Sequence, residues 1–320
     1  GLPVTEVNPC DYVSTHSGRM HACGHDGHMA MVLTFGEYID TIKELDHNVL
    51  LIFQPAEETL GGAEEICKSG IFTKYNVSQV FGIHLWPFLP KGVISSRPGA
   101  FMPKSAEINV DINGKAAHGT APYEGLDALY ITADYVKRTY ADHSKMFGAI
   151  HRFTDGVGDL TYAPCDVPEE RTLIHFGKME SGYARNIVSD YSHLLGTVRA
   201  YDEDHFQKII GILTKNLEKI EAEYHCTTGF SHSDGYPPVV NDKELYEEIR
   251  PVLQQLDGGY EEMPLPLMIS EDFSFYGQYA PAVFFVLGTG TGIPLHSTNF
   301  DFEEDLLLSG FALYQALLTR

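Results

Sequence analysis

The sequence predicts an α/β fold interrupted by an α+β insertion. Three observations predict it. Residues 49–53 and 282–287 are continuous apolar runs, which suit strands buried on both faces of a parallel sheet. Helical and strand patterns succeed one another around them, as α/β folds require. From about Lys104 to His232 the pattern changes to half-exposed strands and two helices in the order βαββαβ.

Taken in order, residues 27–45 carry Met31, Val32, Phe35, Tyr38, Ile39, Ile42 and Leu45 at helical spacing, with Asp26 as the expected N-cap. The strand at 49–53 follows, then a short helix at 61–69 and a strand at 79–84. Residues 106–112 alternate as a half-exposed strand does. Residues 126–140 read as helix, 173–179 and 191–200 as strands, 205–224 as a long amphipathic helix and 227–232 as a closing strand. That order is the ferredoxin-like motif, one sheet with helices on one face. After Tyr236-Pro237-Pro238 the α/β character returns, with a helix at 245–256, the strand at 282–287 and a last helix at 302–318. The predicted organisation is a discontinuous α/β domain over 1–103 and 234–320, with an inserted domain over 104–233. Residues 142–171 hold Gly156, Gly158, Pro164 and Pro168 in loop-like composition and fit neither domain.

The net charge of -22 repels polyanions, so nucleic acid and anionic membrane surfaces are excluded as expected partners. No apolar stretch approaches the length of a membrane span. The five cysteines (Cys10, Cys23, Cys67, Cys165 and Cys226) are odd in number, widely spaced and without a CxxC. That usage fits a reducing, cytoplasmic compartment. No signal-peptide pattern is visible, while Gly1-Leu2-Pro3-Val4-Thr5 reads like the middle of a chain and leaves room for an N-terminal targeting segment.

The chemistry concentrates in a few short stretches. His21-Ala22-Cys23-Gly24-His25-Asp26 packs a thiol, two imidazoles and a carboxylate just before a helix-patterned run. In an extended segment Cys23 and His25 share a face, so both reach one ion. The positive end of the following helix favours a thiolate at Cys23. Glu57 and Glu58 are expected at the carboxyl end of a strand, where α/β sheets build their sites. One carboxylate there binds a cation while its neighbour holds a water, the division that hydrolysis requires. His84 ends a predicted strand and His296 precedes the last helix. Each feature alone reads as structural: a buried cysteine, a solvated acidic pair, hydrogen-bonded histidines. Together they are the parts of a catalytic metal site.

These stretches carry a resemblance. Met20-His21-Ala22-Cys23-Gly24-His25-Asp26-Gly27-His28 looks like the M20 metallopeptidase family, and specifically its amidohydrolase branch of N-acyl-amino-acid deacetylases, hippurate hydrolases and auxin-conjugate hydrolases. Phe53-Gln54-Pro55-Ala56-Glu57-Glu58, Gly82-Ile83-His84-Leu85-Trp86-Pro87, Ser270-Glu271-Asp272-Phe273 and Leu295-His296-Ser297 match the same branch. The resemblance implies the fold of a metal-dependent exopeptidase catalytic domain with an inserted lid that mediates homodimerisation. It implies metal ligands Cys23, His25, Glu58, His84 and His296, with Glu57 as the general base. Five ligands suit two divalent ions, Zn²⁺ or Mn²⁺ first, then Co²⁺ or Ni²⁺. In Lys115-Ala116-Ala117-His118-Gly119-Thr120, the resemblance makes His118 a donor to the oxyanion, often reaching a partner subunit. It brings Asn186, Arg185 and Arg199 towards the substrate. It also implies an upstream segment with an Asp-x-Asp strand before the counterpart of Leu2-Pro3, completing the catalytic sheet.

The expected activity is therefore hydrolysis of the amide bond of N-acyl amino acids or related small amides. Amino- or dipeptidase action on small peptides and a non-catalytic metal-binding dimer are the alternatives. A nucleophilic Cys23 paired with His25 is a third reading, and no Gly-x-Ser-x-Gly elbow is present.

Overall fold

A computed structural model describes residues 1–59, 61–148, 153–154, 160–161 and 170–320. Its contacts divide the chain into two units. One comprises Gly1–Phe101, Val239–Pro264 and Glu271–Arg320; the other comprises Met102–Pro238 and Leu265–Ser270.

In chain order the elements are α1 (His25–Asp40), α2 (Gly62–Lys68), α3 (Ile71–Lys74), β1 (Val80–Trp86), β2 (Ile94–Ser96), β3 (Gly99–Met102), β4 (Lys104–Asn113), α4 (Ala128–Phe147), β5 (Phe153–Thr154), β6 (Leu160–Thr161), β7 (Leu173–Ser181), β8 (Tyr191–Ala200), α5 (Glu203–Tyr224), β9 (Thr227–His232), β10 (Val239–Asn241), α6 (Lys243–Leu253), β11 (Tyr260–Glu262), β12 (Ala282–Gly288) and α7 (Leu307–Leu318).

The first unit is built on a sheet of order β1-β12-β2-β11. β12 is apolar along its whole length because both its faces are covered: every residue of Ala282–Gly288 is buried. It pairs in parallel with β1, His84 opposite Val286, and antiparallel with β2. Ile83, Leu85, Phe285 and Leu287 form the core with Met31 of α1, Leu313 of α7 and Tyr246 of α6.

Three sequence expectations fail in this unit. Residues 49–53 form no strand, and Val49 and Phe53 are 36% and 47% exposed. An apolar run becomes a strand only with a neighbour to share its ladder, and among the described residues none pairs with it. The N-cap of α1 is Gly24 in the left-handed region (φ 80), not Asp26, which lies inside the helix. The helix also ends at Asp40, and Leu45 is exposed.

The second unit carries the sheet β7-β8-β4-β9, all antiparallel. That is the strand order of the ferredoxin-like motif. Ile108, Val110 and Ile112 of β4 point at α4 and α5, whose Ile131, Tyr135, Phe206, Ile209 and Leu213 complete the core. Both helices begin at an aspartate. Asp127 accepts from the Leu129 and Tyr130 N–H groups at 3.0 and 3.3 Å, and Asp202 from His205 N–H at 2.7 Å. Gly156, Gly158, Pro164 and Pro168, together with Cys165, lie outside the described residues.

Candidate metal centre

Four separate segments of the first unit converge on one site. His25 is the first residue of α1, and Cys23 is in the turn before it. The pair reaches a common point through the left-handed Gly24, not through an extended segment. A Cβ at Gly24 would stand 2.7 Å from Leu85 Cδ1, so a close approach of this turn to β1 also needs glycine. β1 supplies His84, whose Nε2 is 3.4 Å from Cys23 Sγ. The other nitrogen of that ring, Nδ1, donates to the Leu85 carbonyl at 2.7 Å. This leaves Nε2 as the lone-pair nitrogen facing the thiol, the tautomer a metal ligand needs.

Glu57 and Glu58 come from a turn and not from a strand end. Ala56, immediately before them, has φ 63, and its carbonyl accepts from Thr59 and Gly61 N–H at 3.2 and 3.1 Å. A left-handed alanine costs about 1–2 kcal/mol and persists where surroundings over-determine it. Glu57 Oε2 is 3.6 Å and Glu58 Oε1 3.8 Å from His25 Nε2. The last segment holds His296, also left-handed (φ 65), whose N–H donates to the Ala22 carbonyl at 2.7 Å. Its Nε2 lies 3.3 Å from Glu58 Oε1.

All six residues expected from sequence at the metal site are thus together. Potential ligand atoms of Cys23, His25 and His84, of Cys23, Glu58 and His296, and of His25, Glu57 and Glu58 lie within 4.8 Å of one another in each group. A cavity of about 250 Å³ opens onto Cys23, His25, Glu57 and Glu58. Glu58 Oε1 is buried with no hydrogen-bond donor. A buried carboxylate oxygen without a partner costs about 1–3 kcal/mol or more. Its neighbours are imidazoles with lone pairs to offer, so a divalent cation among them fits this donor set. Sulfur and nitrogen with one carboxylate select Zn²⁺-like ions over Mg²⁺ or Ca²⁺.

Burial and the crowding of like charges shift the titration of these groups. Burial, then Glu58, pushes the Cys23 thiol far above its ordinary value, overriding the helix end that the sequence led us to expect would favour a thiolate. Burial, then Glu58 and Asp272, raises Glu57 to about 8. Burial lowers His84 to about 4, which keeps it neutral.

The site also contains residues to which the sequence gave no role. The Leu85 N–H donates to His28 Nε2 at 3.0 Å, and the His28 and His84 ring centroids are 4.4 Å apart. Glu271 and Asp272 bring carboxylate oxygens within 4.8 Å of Glu57. Both stretches stood in the sequence, His28 beside the Cys23 motif and Glu271-Asp272 in their own; only the spatial neighbour was missing.

The other expected site residues lie in the second unit. Gly119 N–H donates to the Asn186 carbonyl at 2.8 Å, and His118 bridges to Ile187. His118, Arg185 and Asn186 are therefore close in the fold, and all three are exposed. Thr120 N–H donates to His118 Nδ1 at 3.2 Å, so a neutral His118 carries its proton on Nε2. Arg199 is not with them. It lies near the far end of β8, about 26 Å from Tyr191 at the usual strand rise, and donates to Ser270 Oγ at 3.0 Å.

Comparison with known proteins agrees with this geometry. The model of peptidase family M20/M25/M40 matches residues 2–320, and the chain belongs to that family, whose members are hydrolases. An uncharacterized hydrolase of Staphylococcus aureus (strain bovine RF122 / ET3-1) is 31% identical, over all of this chain and 81% of its own length. Among solved structures, a protein of methicillin-resistant S. aureus, provisionally described as an aminohydrolase, superimposes with a TM-score of 0.84 at 26% identity, covering 99% of this chain and 78% of the other. A Bacillus subtilis protein described as a dinuclear metal-binding peptidase of family M20 shares the fold, with a TM-score of 0.79 at 23% identity over 99% of this chain and 77% of the other. Among the described residues, no helix is long and apolar enough to cross a membrane.

Proposed function

We propose that this protein hydrolyses the amide bond of N-acyl amino acids or related small amides, using two divalent cations held by Cys23, His25, Glu58, His84 and His296. The observation that carries the reading is the meeting of a thiol, three imidazoles and two adjacent glutamates from four distant segments. The relative described as an aminohydrolase supports the reaction type, and the relative described as dinuclear supports the ion count. Zn²⁺ and Mn²⁺ are the ions we assign first.

When bound, the cations supply Lewis acidity that polarises the scissile carbonyl and acidifies water. Glu58 belongs to the ligand set through its orphaned Oε1, and Glu57 is left as the base. Glu57 takes the proton of the attacking water and passes it to the leaving amine. His118 offers its Nε2–H to the oxyanion. Asn186 and Arg185 lie beside it to bind the substrate, and a guanidinium suits a free α-carboxylate. In this reading Arg199, which lies about 26 Å of strand from that cluster, more than one small amide spans, binds the substrate from a different subunit of the dimer than His118, Asn186 and Arg185. Lid-mediated homodimerisation is part of the proposal.

Glu57→Gln tests the assignment. The expected result is a turnover about 10²–10⁴-fold lower with metal content unchanged by elemental analysis. Turnover near wild type with full metal removes Glu57 from the role. His118→Ala is expected to lower kcat more than it raises KM. Removing one oxyanion donor typically costs about 10²–10³-fold in kcat.

A further inference from the structure

The turn carrying Glu57 and Glu58 poses a mechanical problem. Among the described residues, no strand pairs with the segment leading into it, and that segment is partly exposed. The turn contains a left-handed alanine. Something else must hold two glutamates at fixed distances from His25 and His296.

The structure assigns that task to Asp272, as a positioning residue that staples both ends of the Glu57–Glu58 turn. Asp272 is fully buried. Both of its carboxylate oxygens accept from Gln54 Nε2 at 2.8 Å, on the chain before the turn. Its Oδ2 also accepts from Ala63 N–H at 3.1 Å, on the chain after it. Gln54 is fixed at its other end too, where its Oε1 accepts from Tyr276 O–H at 2.7 Å. Asp272 and Tyr276 belong to one short 3₁₀ segment, Asp272–Gln278, so both anchors move together. The feet of the turn touch: a Cβ on Gly62 would stand 2.0 Å from the Pro55 carbonyl oxygen. A single buried carboxylate therefore closes a loop whose apex carries one proposed ligand and the proposed base. Charge-assisted bonds from two donors, one on each side of the turn, give it the strength to do so.

This inference rests on the metal reading above, and its test is read by cobalt binding and amide exchange, not by turnover. In Asp272→Asn, an NH₂ group faces Gln54 Nε2. In Gln54→Glu, two carboxylates face each other. The double exchange, Asp272→Asn with Gln54→Glu, restores one donor–acceptor contact between the two side chains and keeps acceptors for the Ala63 N–H and the Tyr276 O–H. Each single variant is expected to bind Co²⁺ about tenfold or more weakly, the usual cost of losing an outer-shell partner. Each is also expected to lose amide-exchange protection at Thr59, Gly61 and Ala63 in the metal-free protein. The double variant is expected to recover part of both, and to move the visible absorption spectrum of the cobalt-loaded protein back towards that of the wild type. Wild-type affinity and spectrum in the singles overturn the proposal, as does a folded double variant as weak as the singles. If Asp272→Asn does not fold, Tyr276→Phe removes one hydroxyl from the same clamp. It is expected to weaken Co²⁺ several-fold, and an unchanged affinity overturns the proposal. Glu57→Gln that binds Co²⁺ normally yet keeps its turnover would end the base assignment and leave the clamp standing.

Discussion

His84 and Glu58 meet the same centre, but they are held in opposite ways. His84 sits within β1, in register with Val286 of a wholly buried β12. Its ring is oriented by its own neighbour's carbonyl. Glu58 sits on a turn that no described strand supports, behind a left-handed alanine. One proposed ligand inherits its position from the core; the other, as we infer, depends on side-chain hydrogen bonds from a remote 3₁₀ segment. The difference teaches that a site can be rigid at residues whose backbone is irregular, provided buried polar groups replace the missing ladder.

The sharpest way to break this comparison is through the core. Phe285 of β12 is fully buried. Phe285→Ala is expected to cost about 3–5 kcal/mol, measured by urea unfolding. If His84 takes its position from this sheet, the folded fraction of the variant also binds cation more weakly. Undiminished affinity would mean that the strand is not what holds His84.

His28 sharpens the same point at smaller scale. Among the described residues β1 is an edge strand, and its Leu85 N–H is satisfied by a side chain from α1. His28→Ala leaves that buried N–H without an acceptor, an expected cost of about 1–3 kcal/mol. His28→Gln keeps an acceptor on the side chain and is expected to recover part of the loss. Equal destabilisation by both variants would show that ring packing on His84, not the hydrogen bond, is what matters.

The two units also differ in how much of them the sequence disclosed. In the second, β8 and β9 run over the residues expected, and α4 and α5 each start one residue after an aspartate cap and two residues from the start expected. Alternation and capping are short-range, and they suffice where helices cover one face of an antiparallel sheet. In the first unit, residues 282–287 were legible as a continuous apolar run, and β12 there is buried on both faces. Residues 49–53 were not, because apolar content records burial or pairing without saying which neighbour provides it. The cluster proposed to hold metal was legible as chemistry, since Cys23, His25, Glu57, Glu58, His84 and His296 are residue types rarely spent together without purpose. Its supports were not. Nothing local in Gln54 or His28 says that one faces Asp272 and the other the Leu85 amide, since both contacts are made in space alone.

The smallest effect is expected on the sheet face of the second unit, where polar pairing is exposed and serves no site we identify. Asp111 accepts from Tyr191 O–H and, at 2.7 Å, pairs with His193 Nδ1. Partial burial pushes the Asp111 carboxyl up, but these two partners outweigh it and hold the group below its ordinary value. A folded-state pKa below the unfolded one adds stability above the unfolded value, about 3.9. That contribution is lost as pH falls through the lower folded value. At pH 6, Asp111→Asn is therefore expected to be less stable than the wild type. Because Asp111 is 38% exposed, the loss stays within the about 0–1 kcal/mol of surface pairs. Urea unfolding at pH 6 and near pH 2.5 checks it, the gap between the two proteins closing at the lower pH. A gap that persists in acid would assign the effect to packing of the Tyr191 and His193 rings, which stack at 10°, and not to the carboxylate's charge.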